Sequence, residues 1–536
     1  MSVFKSSLFF SMGTMLSRLT GLLRESTLAG VFGASVFLDA FLVAYRIPNL
    51  LRDMLAEGAL SGAFTKVYTA TYEKDPGAAG RLFKASLMFF GAIALVVIAL
   101  GMVFAPELVD LMTLVGDYDA NAEFKTNAVL LTRILFPFIL FPILGSIAMG
   151  VLHRHKGFFI TGISPVLLNL GFIGGAIGLS NYQEWASLFG YSSTVVNNAV
   201  IGLAVGVLVG GFLQFAWQFI FAWQRSDLSK PEGEISEFLK KVLVLMAPAA
   251  IAASAGPITA FVNTNFATSL GEGAVSWLYF SFRLLQLPVG VFGVAIGVAA
   301  LPSLTRLITK AGGVVDAEAS KQLQSCLQIM VWLMVPASLF LYTAADNLIG
   351  LFFQHAKFSA LDALATTEAL RAYCFGVLGY GLIKVLSSYY FAVDRTSYAM
   401  KVSLLGIGVT VLVNFLLIDH FGHVGLAYGA ATTLTLNAIL LLIGTRKDAV
   451  QWEMARFWKL ALAVGLALAA SIFLHIVYNL SLNDEFSMVR DFAPQLPLSK
   501  WQHFIGILIH AALIGLPFAV ALYASEKKSP VKLLKS

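Results

Sequence analysis

Apolar runs of membrane-crossing length dominate the chain. A helix needs about 20 apolar residues to span the hydrocarbon core, and fourteen such runs occur, near 6–31, 36–62, 85–112, 128–152, 158–180, 198–223, 242–267, 274–303, 324–352, 364–392, 399–418, 422–445, 457–479 and 503–524. Polar positions fall between them in short loops. The lysines and arginines of those loops alternate: segments holding Lys66, Arg154, Lys240, Arg306, Arg395, Arg446 and Lys527 are rich in them. The intervening segments hold only Lys125, Lys357, Arg490 and Lys500. By the positive-inside rule the basic segments are cytoplasmic, both termini included, and a miscount by one span would break the alternation. The expected fold is an all-α polytopic membrane protein of fourteen transmembrane helices.

Composition agrees. Of 536 residues, 58% are hydrophobic and 12% charged, and the mean hydropathy is +0.80. A pI near 9.1 does not signal nucleic acid, because the basic excess lies beside helix ends, where it orients the protein and meets anionic lipid. Cys326 and Cys374 are the two cysteines, each in or at the edge of a span, so no disulfide framework or thiol metal site is expected. Lys5 and the run after it look like a leader, but Arg18 and Arg24 interrupt the run, and an uncleaved first helix is expected.

Eight basic residues fall inside the expected spans: Arg18, Arg24, Arg46, Arg52, Arg133, Arg283, Arg371 and Lys384. A cation at mid-bilayer costs roughly 2.5–3.5 kcal/mol even on lenient scales, so four arginines in the first two spans call for a watery cavity or an anionic partner. Arginine suits phosphate better than lysine, since its planar fork donates in pairs and stays charged. Arg18, Arg24, Arg52 and Arg283 are therefore candidates for holding one anion, and a diphosphate would engage several forks. The competing reading is local satisfaction: Arg24 with Glu25, Arg52 with Asp53 or Glu57, Arg46 snorkelling or paired with Asp39. Asp39 and Glu57 serve either as ion or proton sites or, the preferred reading, as neutralisers of the empty site. Arg133 and Arg371 read as interfacial, and His153 and His155 as a solvated loop rather than a metal site. No phosphate loop, metalloprotease or nucleophile-elbow motif occurs, so no enzyme, metal or cofactor is expected, and energy would come from a monovalent ion gradient, the membrane potential or the substrate gradient unless a partner chain supplies it.

The halves repeat at an offset near 237. Asp39–Arg46, with Pro48, resembles Ser276–Arg283, with Pro288; Arg133 and Arg371 each open a later span, followed by Asn169 and Asn414 in the next. Six spans per repeat give a parallel repeat. The expected division is a lobe at 1–227 (spans one to six), a lobe at 228–446 (seven to twelve), and an addition at 447–536 comprising spans thirteen and fourteen and a cytoplasmic tail. The stretch Arg225–Lys241, with Pro231 and Gly233, reads as the linker, and Tyr478–Gln502 as an outer surface loop.

The runs Ser17-Arg-Leu-Thr-Gly-Leu-Leu-Arg24-Glu25, Arg46-Ile-Pro-Asn-Leu-Leu-Arg52, Ala56-Glu-Gly-Ala-Leu-Ser61 and Arg283-Leu-Leu-Gln-Leu-Pro-Val-Gly290 closely resemble the MurJ (MviN) family of bacterial lipid II flippases, in the MOP exporter superfamily. The resemblance, from about residue 5 to 445, implies a bilobed inner-membrane transporter. A central cationic cavity would accept the undecaprenyl-diphosphate disaccharide-pentapeptide inside and release it outside by alternating access. It also implies a groove for the lipid tail at spans thirteen and fourteen, and partners among membrane lipids and cell-wall or division proteins. The family's cavity arginines fall on Arg18, Arg24, Arg52 and Arg283, and its cavity acids on Asp39 and Glu57. Glu25 stands for a usual Asp, while Phe282 and Gln286 stand where acids can occur. The alternatives are a flippase for another polyprenyl-diphosphate glycan, a MATE-like cation or drug antiporter, which would want an acidic cavity, and a scaffold that transports nothing.

Overall fold

The computed structural model describes residues 3–116, 121–192, 196–226, 236–492 and 500–526, with side chains left undescribed at 3–12, 55–58, 236–238, 247–249, 251–253, 255, 478–492 and 525–526. The described residues form helices and no strand. The first half runs α1 (Val3–Phe32), α2 (Val36–Leu51), a π-helix (Arg52–Leu60), α3 (Ser61–Tyr72), α4 (Pro76–Val103), α5 (Ala105–Met112), α6 (Ala122–Leu135), a 3-10 turn (Phe136–Ile139), α7 (Leu140–Arg154), α8 (Phe158–Ile177), the short α9 (Trp185–Leu188) and α10 (Asn198–Trp223). The remainder runs α11 (Ser236–Ala253), α12 (Ala255–Ala267), α13 (Ala274–Pro288), a second π-helix (Val289–Gly293), α14 (Val294–Lys310), α15 (Ala317–Thr343), α16 (Ala345–Phe352), α17 (Ala360–Cys374), α18 (Val377–Ala392), α19 (Thr396–Gly444), α20 (Met454–Phe492) and α21 (Lys500–Glu526).

All fourteen expected spans lie on helix. Among the described residues, nine helices are long and apolar enough to cross a membrane alone, and a tenth arises if α17 and α18, bent by 48°, count as one span. The remainder differ for physical reasons. In α1 and the α2–α3 run the charges cluster in the apolar stretch; α11 and α12 are parted at Ser254; and α19 carries two spans across a kink at Gly422 (φ 53°, ψ −134°). The outer loop expected at Tyr478–Gln502 is shorter than expected, because α20 continues to Phe492. Residues 480–492 contain neither Gly nor Pro to stop a helix. Pro494 and Pro497, and the linker residues Pro231 and Gly233, lie outside the described residues.

Contacts divide the chain into two compact units, residues 1–276 with 355–358, and 277–354 with 359–536. In the first, glycines bring α8 and α10 to backbone contact: a Cβ added at Gly171 would stand 2.6 Å from Gly206 O, and one added at Gly206 only 2.5 Å from Gly171 O. The other side of α8 takes α1 as closely, a Cβ at Gly13 coming within 2.9 Å of the Gly162–Ile163 backbone. Small residues are how membrane helices reach backbone contact. In the second unit, the additional helices α20 and α21 seal on α15 through Trp332, Leu460, Val464, Ala467, Ile514 and Phe518.

The internal repeat is visible in local structure. A proline late in α2 and in α13, Pro48 and Pro288, is followed each time by π-helix. Asp75 caps α4 and Asp316 caps α15. Arg133 Nε donates to Met102 O (3.3 Å) at the end of α4, and Arg371 Nε to Tyr342 O (3.4 Å) at the end of α15. These two arginines hold helix ends, and Arg371 also pairs with Asp346 at 2.5 Å.

Candidate functional site

Arg24 sits two-thirds along α1 with its side chain mostly covered. One terminal nitrogen, Nη2, pairs with Oε1 of Glu25, the next residue, whose side chain is buried. The other, Nη1, donates to Asn169 Oδ1 on α8 (3.0 Å), and the guanidinium carbon lies 4.7 Å above the centre of the Phe172 ring. Three unlike partners thus fix one arginine: an acid, a neutral amide and an aromatic face. Phe172 is held in turn by Phe41 (6.1 Å) and Tyr45 (5.5 Å) of α2, both nearly perpendicular to it.

Arg18 lies on the same stripe of α1 as Glu25, seven residues or about two turns away. It is half-buried and forms no ion pair among the described residues. Arg46, two residues before Pro48, is also half-buried. At the end of α2, Arg52 sets Nε and Nη2 on Asp53 Oδ1 (3.2 and 3.0 Å), while Asn49 Nδ2 donates to the other oxygen of Asp53 (3.2 Å). The Glu57 side chain lies outside the described residues. The π-helix beginning at Arg52 widens the turn there, so the α-helical stripe through positions 39, 46, 53 and 57 does not continue in register.

Asp39 caps a helix. Its fully buried carboxylate accepts from Gly273 N (2.7 Å), Ser276 N (2.9 Å) and Ser276 Oγ (2.6 Å), capping the first turn of α13. Glu272 returns the favour, accepting from Val36 N at the start of α2 (3.2 Å). A carboxylate on first-turn N–H groups, which have no partner within the helix, is favoured by hydrogen bonding and by the helix dipole. Each buried donor left without an acceptor costs about 1–3 kcal/mol. Asp39→Ala should therefore lower the thermal unfolding midpoint and the membrane level, with Asp39→Asn falling between; an unchanged midpoint in detergent would show that the cap contributes nothing.

Arg283, in the second unit, lies with its guanidinium carbon 4.7 Å from the Tyr279 ring centre and donates to Tyr279 Oη and Gln286 Oε1 (both 3.3 Å). Gln286 thus offers a neutral oxygen where an acid can stand. Phe282 packs edge-on against Tyr373 (5.5 Å). Lys384 places its ammonium 5.0 Å from the Tyr380 ring. The two histidines at the end of α7 face aromatics, His153 on Phe158 and His155 on Tyr72.

The structure thus realises the local pairs Arg24–Glu25 and Arg52–Asp53. Sequence reasoning missed the polar neighbours that hold them, Asn49 and Asn169, and the platform Phe172. Asn169 stood out only as a marker of the repeat. The available signal was an Asn one turn from a Phe within an apolar run; that it meets Arg24 comes from the packing of α8 on α1.

Residues 28–493 match the family model described as lipid II flippase MurJ. The lipid II flippase MurJ of Burkholderia cenocepacia is 32% identical over 496 residues, covering 91% of this chain and 92% of that protein. The probable lipid II flippase MurJ of Haemophilus influenzae is 32% identical over 481 residues, 86% of this chain and 91% of that one. In fold, the chain resembles a solved lipid II flippase MurJ in an inward closed conformation (TM-score 0.76, 22% identity, 97% and 100% covered). It also resembles an inward-facing multidrug resistance MATE family transporter of the MOP superfamily (TM-score 0.60, 16% identity, 83% and 98% covered).

Proposed function

The chain belongs to the lipid II flippase MurJ family, and from that membership and its membrane arginines we propose that it carries lipid II from the inner to the outer leaflet of the bacterial cytoplasmic membrane. It is a multi-pass membrane transporter, not an enzyme. The observation that carries the chemistry is Arg24, built into a bilayer-length helix and held by Glu25, Asn169 and Phe172. In the empty protein Glu25 and Asp53 balance Arg24 and Arg52. An incoming diphosphate offers a denser set of acceptor oxygens to the same forks, so substrate binding is an exchange of carboxylate for phosphate rather than the filling of a bare cationic hole. Arg18, without an acid among the described residues, and Arg283, on the neutral oxygens of Tyr279 and Gln286, supply the remaining donors.

In this reading the lobes at 1–227 and 228–446 alternate access to the site, with both termini cytoplasmic, while α20 and α21 take the polyprenyl tail. No cofactor is needed. The return of the emptied, net basic site draws on the membrane potential, worth about 2.3 kcal/mol per charge per 100 mV, or on a monovalent ion gradient. A cation antiporter would want an acid excess, and the buried acid Asp39 is committed to capping α13.

The test is rescue of a strain depleted of its own flippase, with lipid II probed in the outer leaflet. The wild-type chain should restore growth and outer-leaflet lipid II, and Arg52→Ala and Arg283→Ala should each reduce both at unchanged membrane level. Failure of a well-inserted wild-type chain would overturn the lipid II assignment. Full activity of both variants would overturn the clamp.

A further inference from the structure

We propose that Asn169, seated beside Phe172, is a positioning residue for transport: it holds the Arg24 guanidinium in place while Glu25 is exchanged for an anionic group of the substrate. The inference rests on the clamp reading above and goes beyond it in giving Asn169, on α8, a part in the exchange of carboxylate for phosphate.

The orientation of the Asn169 amide is fixed by its neighbours. Nδ2 donates to Ser17 O (3.0 Å) and to Thr20 Oγ1 (3.1 Å) on α1. A carbonyl can only accept and a guanidinium can only donate, so Oδ1 must face Arg24 Nη1, as it does at 3.0 Å. Asn169 is 5% exposed, and every polar atom of its side chain is used. It is therefore tied to the α1 backbone at one end and to the arginine at the other. Its reach is short, and it suffices because α1 and α8 touch at backbone distance beside Gly13.

The choice of an amide has a consequence for charge. Glu25 and Asn169 both hold Arg24, on different nitrogens, but only Glu25 cancels its charge. When a phosphate oxygen takes Nη2 from Glu25, Nη1 stays on Asn169 and the guanidinium plane stays on Phe172. The fork thus meets the anion already oriented. An acid at 169 would hold Arg24 equally well and compete with the substrate; an apolar residue would leave the arginine free to follow Glu25.

A double-mutant cycle separates this role from a merely structural one. Full-length wild type, Arg24→Ala, Asn169→Ala and the double variant are placed in nanodiscs and titrated with lipid II, with unfolding midpoints measured in parallel. Asn169→Ala should weaken binding roughly tenfold, the scale of one hydrogen bond to a charged group, and should cause no further loss once Arg24 is alanine. If Asn169→Ala leaves affinity unchanged, or if its effect persists undiminished in the Arg24→Ala background, the positioning role is wrong while the clamp stands. If Arg24→Ala itself leaves affinity unchanged, the clamp fails and the positioning role with it. Should Asn169→Ala not reach the membrane, Phe172→Leu probes the other side of the same guanidinium under the same criterion. Should Arg24→Ala not accumulate, the cycle is run with Arg24→Ala/Glu25→Gln in its place.

Discussion

Arg24→Ala is expected to cut lipid II transport by on the order of 30- to 1,000-fold, the equivalent of about 2–4 kcal/mol for losing a hydrogen-bonded charge partner in a desolvated site. The same substitution takes from Glu25, buried on α1, its ion pair with Arg24, and breaking a buried pair by removing one partner costs about 3–5 kcal/mol. A loss of transport could therefore reflect a poorly folded chain. The second substitution Glu25→Gln resolves this by removing the acid's charge as well. Arg24→Ala/Glu25→Gln should recover membrane level and unfolding midpoint while transport stays at the low value. Glu25→Gln alone should remain in the membrane, since its partner, an arginine, keeps Asn169 and Phe172. Arg24→Lys should fall between, because a single ammonium cannot serve an acid, an amide and a ring face at once. Transport that recovers together with folding in the double variant would sink the clamp and favour a structural role for the pair.

The apolar spans and the membrane arginines were legible because both are properties of single segments: a run of 20 apolar residues or a cation within it needs no partner to be noticed. The pairs Arg24–Glu25 and Arg52–Asp53 were legible for the same reason, as sequence neighbours. Asp39 marks where such reading stops. Placed one heptad before Arg46, it looks like a local neutraliser. Its capping partner Ser276 is 237 residues away, and that separation is the repeat offset itself. The offset could be found by aligning the halves; that the two equivalent helices start side by side and cap one another could not. Asn169 was hidden differently, since an Asn in an apolar run announces a buried polar group without naming what satisfies it. The π-helices after Pro48 and Pro288 also escaped, because a proline signals a break in the hydrogen-bond ladder but not which wider register replaces it.

Gly206→Leu is expected to remove most of the protein from the membrane, because at this position no room exists and nothing can yield. A Cβ there would meet Gly171 O at 2.5 Å and Gly175 N at 2.8 Å. Both are backbone atoms of α8, so no side chain can rotate away. Relief requires α8 and α10 to part, and α8 is already pressed against α1 on its far side. Overpacking a well-filled core costs typically about 1–3 kcal/mol. Here the whole side chain must also be placed, and separation gives up the close glycine contact that substitutes, within a bilayer, for a hydrophobic driving force between helices. The displacement would reach Asn169 and Phe172, which ride on α8, so any protein that does insert should also bind lipid II weakly. The control lies on α8, the helix that Gly206 packs against. Gly174 has nothing within 4 Å of an added Cβ, and Ala is the better helix former by roughly 0.8–1.0 kcal/mol, so Gly174→Ala should match or exceed the wild-type unfolding midpoint. Normal accumulation of Gly206→Leu, or equal damage from Gly174→Ala, would show that α8 and α10 are not held by backbone contact.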